Sequence, residues 1–324
     1  MEKMNMIQAI NRALHDAMEA DETVLALGEE VADPEGGGIV GVTKGLSERF
    51  GEDRVLSTPI SEQAIIGSAV GAAIGGFRPV AELMLMNFST VAMDMLVNHA
   101  AKLRFMSGGQ TNVPMVVRTA TGAGLGTGGQ HCDFLEAWFA HTAGMKVVIP
   151  SNPSDAYGLM RSAIEDDDPV IFVETIPLLF APAETVLEKV PLGKAKVVRE
   201  GTDLTILAYA LMVPHALAVA AELEKEGKSV EVIDLRTIAP WDKETVLASV
   251  AKTGRLLVVH EAVKEHGVGA EIAAVVNKEL FGKLKAPVER LGAAFCAVPF
   301  SKPLETAFVP NPGSIGAAAR AILA

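Results

Sequence analysis

The chain has 324 residues, 49% of them apolar and 21% charged, which suits two folded domains of ordinary size and not a disordered chain. Its 28 basic and 40 acidic side chains leave a net charge of −12, and that balance argues against nucleic acid and anionic membrane surfaces as partners. Cys132 and Cys296 lie too far apart for a paired zinc motif or a disulfide framework, so they read as reduced thiols of a cytoplasmic protein.

The first residues alternate apolar and charged at helical spacing, without the apolar core of a signal peptide. Residues 6–18 read as an amphipathic helix with Ile7, Ile10, Leu14 and Met18 on one face. A short buried strand at 24–27, a Gly-rich loop at 34–38, a helix at 42–50 and a strand end at 54–57 follow. Residues 61–75 read as a helix, 78–84 as a strand, 88–105 as a longer helix and 115–119 as a strand. That strand enters a second Gly-rich loop, 122–129, and a strand at 146–149, a helix at 154–165 and a strand at 170–174 complete this part. Residues 176–193 are rich in Pro and charge and lack periodicity, which predicts a linker between a domain of 1–175 and one of 194–324. The second domain repeats the alternation, with strands at 204–208, 229–234, 255–260 and 288–292 and helices at 213–226, 241–252, 269–280 and 315–323. Such interleaving predicts an α/β fold with mainly parallel sheets covered on both faces.

The chemistry concentrates at Thr58-Pro59-Ile60-Ser61-Glu62 and the fifteen uncharged residues that follow, 63–77. That run is shorter than the ~20 residues needed to span a bilayer. Ser61 is a candidate N-cap, which puts Glu62 in the first helical turn, where a carboxylate suits the helix dipole but has apolar neighbours. Gly67, Gly71 and Gly75 are four residues apart and line one helix face. Each glycine in a helix costs roughly 0.5–1 kcal/mol relative to alanine, so the stripe predicts close approach of another helix. The chain offers no matching small-residue stripe, which points to another subunit.

Glu62-x4-Gly67-x3-Gly71 resembles the pyrimidine-domain motif of thiamin-diphosphate enzymes. The longer string VLSTPISEQAIIGSAVGAAIGGFRPVAELMLMNF, with NHAAKLRFMSGGQTNVP, GGQHCDFLEAWFAHTAGMKVVIPSNPSDA, VIDLRTIAPWD and VVHEAV, is similar to the β subunit of the decarboxylase component of 2-oxo acid dehydrogenase complexes. The likeness is colinear over nearly the whole chain, and the pyruvate, acetoin and branched-chain types are nearest. It implies a transketolase-like pyrimidine-binding domain followed by a transketolase C-terminal-like domain.

Carried over residue by residue, the resemblance makes Glu62 the carboxylate that hydrogen-bonds the aminopyrimidine of thiamin diphosphate. It makes Phe88 and Ile60 the apolar residues beside that ring, and His131 a proton-transfer group in acyl transfer to a lipoyl arm. Val91 stands where many pyruvate-type members carry Gln. Met115, Ala163, Ile164, Asp166 and Asp168 match positions that hold a potassium ion in related subunits, against which a solvated acidic turn is the other reading. The chain has no Gly-Asp-Gly followed by Asn, the family's magnesium-diphosphate signature. The resemblance therefore implies a cofactor shared with an α subunit that holds the magnesium, in an α2β2 heterotetramer. It further implies a lipoyl acyltransferase core and a dihydrolipoyl dehydrogenase as partners. A split transketolase-like carbon–carbon transferase and a non-catalytic assembly subunit are the alternatives. Lipoyl dependence separates the first from the main reading, and the presence of Glu62 and His131 speaks against the second.

Overall fold

The computed structural model describes residues 2–324. The chain divides into two compact units: one of residues 2–121 and 138–192, the other of residues 122–137 and 193–324.

The first unit is built on six parallel strands in the order Lys146–Val148, Val170–Thr175, Val116–Thr121, Arg78–Leu85, Val24–Gly28 and Val55–Ser57. Strands Val24–Gly28 and Val170–Thr175 are buried throughout, as expected of parallel strands covered on both faces. Helix Met6–Ala20 opens on a capping box between Asn5 and Gln8, which satisfies two backbone donors at once. Its apolar face, with Met6, Ile10, Leu14 and Met18, joins Leu159, Met160 and Ile164 of helix Pro153–Glu165 in one core. Asn152 caps that second helix by accepting from the Asp155 amide at 2.9 Å, and Pro153 occupies its first position.

Two helices predicted from the sequence take other forms. Only Leu46–Phe50 of the 42–50 stretch is helical, because Gly45 adopts φ +81° and breaks the turn before it. The 88–105 stretch is a tight 3₁₀ segment at Met86–Ala92, a wide π turn at Met95–Ala100 and one α turn at Leu103–Met106. The hydroxyls of Ser89 and Thr90 donate to the carbonyls of Met86 and Asn87, a local competition with regular helix bonding.

The 176–193 segment, read as a linker, is packed onto the first unit. Ala183–Thr185 pairs antiparallel with Glu2–Met4, and Leu187, Val190 and Leu192 cover the core. Gly158 permits this approach, since a Cβ there would stand 2.4 Å from the carbonyl oxygen of Glu188.

The second unit carries five strands in the order Glu289–Ala293, Leu256–Val263, Leu204–Ala208, Val230–Asp234 and Lys196–Arg199, the last antiparallel. Helices Met212–Lys225 and Pro312–Leu323 bury Ala216, Val219, Ile315 and Ala319 against that sheet. The Gly-rich loop, counted with the first domain on sequence grounds, belongs to this second unit. So does a short helix, Lys302–Phe308, that periodicity did not mark.

Candidate active site

Ligands of open α/β sheets gather outside the carboxyl ends of the strands. Three adjacent strands of the first unit, Val55–Ser57, Val24–Gly28 and Arg78–Leu85, lead directly into Ile60 and Glu62, into Glu29, and into Phe88. Helix Glu62–Ile74 packs on the Met86–Ala92 segment that carries Phe88. The chain order thus brings Ile60, Glu62 and Phe88 to one edge of one sheet.

Glu62 is the first residue of its helix and half-buried. Ser61 occupies the N-cap position, but its side chain makes no capping bond. Among the described residues no group hydrogen-bonds or ion-pairs with the Glu62 carboxylate, which stands in the first turn of its helix, where negative charge is favoured. Ile60 is 81% exposed, an aliphatic surface left open next to that carboxylate. Phe88 is half-buried. The Thr58 hydroxyl oxygen, four residues before Glu62, is buried without a hydrogen-bond partner. An open carboxylate, an exposed aliphatic face and an aromatic ring form a set that fits a flat heteroaromatic ligand with a protonatable nitrogen.

Two neighbours were not singled out by sequence. Glu29 is buried, and burial followed by the nearby Glu62, Glu30 and Glu82 pushes its pKa up. Glu82 in turn meets Arg118, whose guanidinium donates to Glu82 at 2.6 Å and to Glu174 at 2.7 Å. Burial works against the Arg118 charge, but Glu174 and Glu82 outweigh it and hold its pKa above the ordinary value. This triad stiffens the centre of the sheet behind the site. The LGEEV run at the end of strand Val24–Gly28 is the available signal, since a Glu pair directly after a buried strand is unusual.

The glycine stripe divides. A Cβ at Gly67 would stand 3.4 Å from the Met95 sulfur of the same chain, Gly71 looks into open space, and Gly75 closes the helix at its C-cap. Ala64, Ser68, Gly71 and Gly75 lie exposed along one face, without a charge among them. Val91 is 56% exposed.

The residues matched to a potassium site share one corner of the first unit, but their oxygens are already engaged. Arg78 donates to the carbonyls of Ile164 and Asp166 at 3.1 and 3.0 Å. The Asp166 carboxylate accepts from Lys146 at 2.6 Å, and Asp168 accepts from Arg104 at 2.7 Å. The Met115 and Ala163 carbonyls accept from the amides of Val170 and Asp166. Burial opposes the Asp168 charge, yet Arg104 and Lys146 hold its pKa below the carboxylate range. Arg78, Lys146 and Arg104 thus pair with Asp167, Asp166 and Asp168 in turn, while each of these backbone carbonyls keeps a second acceptor lone pair.

His131 belongs to the second unit. It is half-buried at the end of the loop Gly122–Gly129, and its amide donates to the Gly128 carbonyl at 3.1 Å. Gly126 and Gly128 take φ of +68° and +75°, which non-glycine residues rarely adopt. Gly128 also leaves room for Phe300, whose ring would lie 2.4 Å from a Cβ there. Cys132 is buried, its sulfur 2.7 Å from the Thr127 hydroxyl. Burial, only partly countered by Thr127, pushes the thiol pKa up, so Cys132 is a packed residue and not an activated one.

Residues 2–180 match the model of the transketolase pyrimidine binding domain, and residues 193–315 that of the transketolase C-terminal domain. A split-gene transketolase, solved as an inactive β4 tetramer, has the same fold: TM-score 0.81 at 20% identity, with 99% of this chain and 98% of that one covered. The transketolase of Campylobacter jejuni aligns with a TM-score of 0.72 at 17% identity, covering 99% of this chain and 47% of that one. The architecture is therefore that of the transketolase type.

Sequence relatives narrow it. The chain is 45% identical to the mitochondrial pyruvate dehydrogenase E1 component subunit beta-2 of rice, Oryza sativa, over 98% of this chain and 86% of that one. It is 44% identical to the pyruvate dehydrogenase E1 component subunit beta of Bacillus subtilis, over 100% and 99%. It is also 44% identical to the beta subunit of acetoin:2,6-dichlorophenolindophenol oxidoreductase of Cupriavidus necator, over 98% and 97%. The chain belongs to the family of pyruvate and acetoin dehydrogenase E1 β subunits. No helix among the described residues is long and apolar enough to cross a membrane.

Proposed function

We propose that this chain is the β subunit of an oxidoreductase that decarboxylates a pyruvate-like 2-oxo acid, or cleaves acetoin, and passes the acyl group to a lipoyl arm. The observation that carries the reading is the unpartnered Glu62 carboxylate at a helix N-terminus, beside Ile60 and Phe88 at the carboxyl ends of three adjacent strands. Thiamin diphosphate, when bound, supplies the carbanion chemistry that breaks the bond next to the oxo group. Glu62 would hydrogen-bond the ring nitrogen of its aminopyrimidine and hold a proton there, while Ile60 and Phe88 bracket the ring. His131 would exchange a proton with the lipoyl sulfur during acyl transfer, a task suited to imidazole near neutral pH.

An α subunit would complete the cofactor site and hold the magnesium and diphosphate, in an α2β2 assembly. The uncharged exposed face of helix Glu62–Ile74 supports this, since it places small residues next to Glu62 where a second chain can approach closely. A lipoyl acyltransferase core and a dihydrolipoyl dehydrogenase would be the further partners. The transketolase alternative has weaker support. That likeness stands at 15–20% identity and speaks for the fold, whereas dehydrogenase β subunits stand at 44–46%.

The test is co-expression with the α subunit, assaying pyruvate, branched-chain 2-oxo acids and acetoin with 2,6-dichlorophenolindophenol as acceptor. Glu62→Gln should lower turnover about 100-fold or more, the scale of a lost acid–base group, while assembly is kept. Turnover near that of the parent would sink the assignment.

A further inference from the structure

The loop that ends at His131 is held by two carboxylates from elsewhere in the second unit. Glu261, on strand Leu256–Val263, accepts from the Ala123 amide at 2.7 Å. Glu305, on helix Lys302–Phe308, accepts from the Gly124 amide at 2.6 Å and from the Gly126 amide at 3.1 and 3.2 Å. Both side chains belong to residues only 3% exposed. No basic side chain pairs with either among the described residues, so amide donors alone offset their burial. The energetic consequence runs both ways: the carboxylates need the loop amides, and the loop amides have a defined place only while the carboxylates face them.

The far side of the loop is tied to the same elements. Cys132, next to His131, packs with Ala123, Val298 and Phe308, and Phe308 ends the helix that carries Glu305. A cavity of about 70 Å³ lined by Cys132, Glu261 and Phe308 borders the contact, so a released loop has room to shift. We propose that Glu261 and Glu305 are positioning residues that clamp residues 123–126 and thereby set where His131 is presented for acyl transfer. This rests on the proposed role of His131.

Two measurements decide it. Hydrogen–deuterium exchange on the full chain reads the clamp without reference to activity. Glu305→Ala and Glu261→Ala should speed exchange of the 123–126 amides roughly tenfold or more, the scale of one lost charge-assisted bond. Glu261→Gln, which keeps an acceptor for Ala123, should restore most of the protection. Unchanged exchange in both alanine variants would refute the clamp. Glu305→Asp, with the carboxylate drawn back by one methylene, reports on the same bonds should alanine fail to assemble.

In the α2β2 assembly, the clamp variants should lower lipoyl acylation more than dye-coupled decarboxylation. Combining Glu305→Ala with His131→Ala should add little to His131→Ala alone. Faster exchange with acyl transfer untouched, while His131→Ala impairs it, would overturn the positioning role. If His131→Ala slowed both half-reactions equally, the proposed role of His131 would fall, and the positioning claim with it, whereas the exchange data would still judge the clamp itself.

Discussion

In the first unit, Arg118 lies between Glu82 and Glu174, donating to them at 2.6 and 2.7 Å. In the second, Glu136, Glu261 and Glu305 are equally buried and meet only neutral donors: the Tyr209 hydroxyl and the amides of the Gly-rich loop. One guanidinium cannot neutralise two carboxylates, so burial still pushes the Glu174 pKa up despite Arg118. The contrast concerns what happens when a partner is removed. A buried ion pair that loses one member leaves an uncompensated charge, whereas a carboxyl held by neutral donors can take up a proton and become neutral itself. In the first arrangement Arg118 opposes proton uptake by its carboxylates, and in the second no charge opposes it.

The largest effect is therefore expected at Arg118. Arg118→Ala should destabilise the protein by about 3–5 kcal/mol, read as a lowered unfolding midpoint of the assembled protein. Adding Glu82→Gln and Glu174→Gln should recover much of that loss, because the stranded charges go with it. A single-mutant cost under about 1 kcal/mol would show that this triad behaves like a surface pair.

The next effect is electrostatic and has two opposing signs on consecutive residues. His260 is buried with Nδ1 against the Ala262 carbonyl at 3.0 Å, and three glycines, Gly267, Gly269 and Gly292, close around its ring. Burial, joined by Arg290, lowers its pKa from 6.5 to about 4. Glu261 faces the Ala123 amide, Glu136 and Glu305, and burial raises its pKa from 4.5 to about 7. For His260 the folded pKa is depressed. The unfolded chain binds the extra proton between about 4 and 6.5, so stability there rises with pH. For Glu261 the folded pKa is raised. Its contribution is complete below 4.5 and is lost as pH climbs to about 7, so stability falls with pH. Between pH 4.5 and 6.5 the two slopes cancel.

Single variants should expose them. With Glu261→Gln, stability should climb with pH across that window by about 1.4 kcal/mol for each pH step of one. With His260→Gln it should fall at a similar rate. Denaturant midpoints taken from pH 4.5 to 6.5 would show it. Two flat profiles would mean that these groups titrate no differently after folding.

The same contrast explains what was legible in the sequence. The alternation of elements, the amphipathic face of the first helix and the Glu62 motif are local patterns, and local patterns survive as written. Glu62 stands out as the one charge before fifteen uncharged residues, whereas Ile60 and Phe88 are reached through the family resemblance, and the structure sets all three just after strands. Glu261 and Glu305 stand out in neither way. The first lies inside an apolar strand and the second is a lone acid after Pro303, and only tertiary folding brings both to amides more than 130 residues away. The 88–105 stretch has helical composition throughout, yet Ser89 and Thr90 turn its backbone into tighter bonds, which no periodicity records. The acidic turn at 165–169 offers clustered carboxylates in the sequence, but the partners Arg78, Arg104 and Lys146 come from distant parts of the chain that no local pattern marks.

Tyr209→Phe probes the contrast at its weakest point. The hydroxyl donates to Glu136 at 2.6 Å, and the other Glu136 oxygen is buried without a partner. Burial already pushes the Glu136 pKa up, with Tyr209 as the opposing influence. Phenylalanine keeps the ring that stacks on His260 at 6.2 Å and removes only the donor. The carboxyl then answers by holding its proton more firmly, so the cost should be that of one buried hydrogen bond, about 1–2 kcal/mol, and should grow as pH rises and ionisation is forced. Unfolding midpoints at two pH values measure both. A cost matching that of Arg118→Ala would show a neutral hydroxyl and a guanidinium holding buried carboxylates equally well, and the difference between the two units would then lie in packing and not in charge.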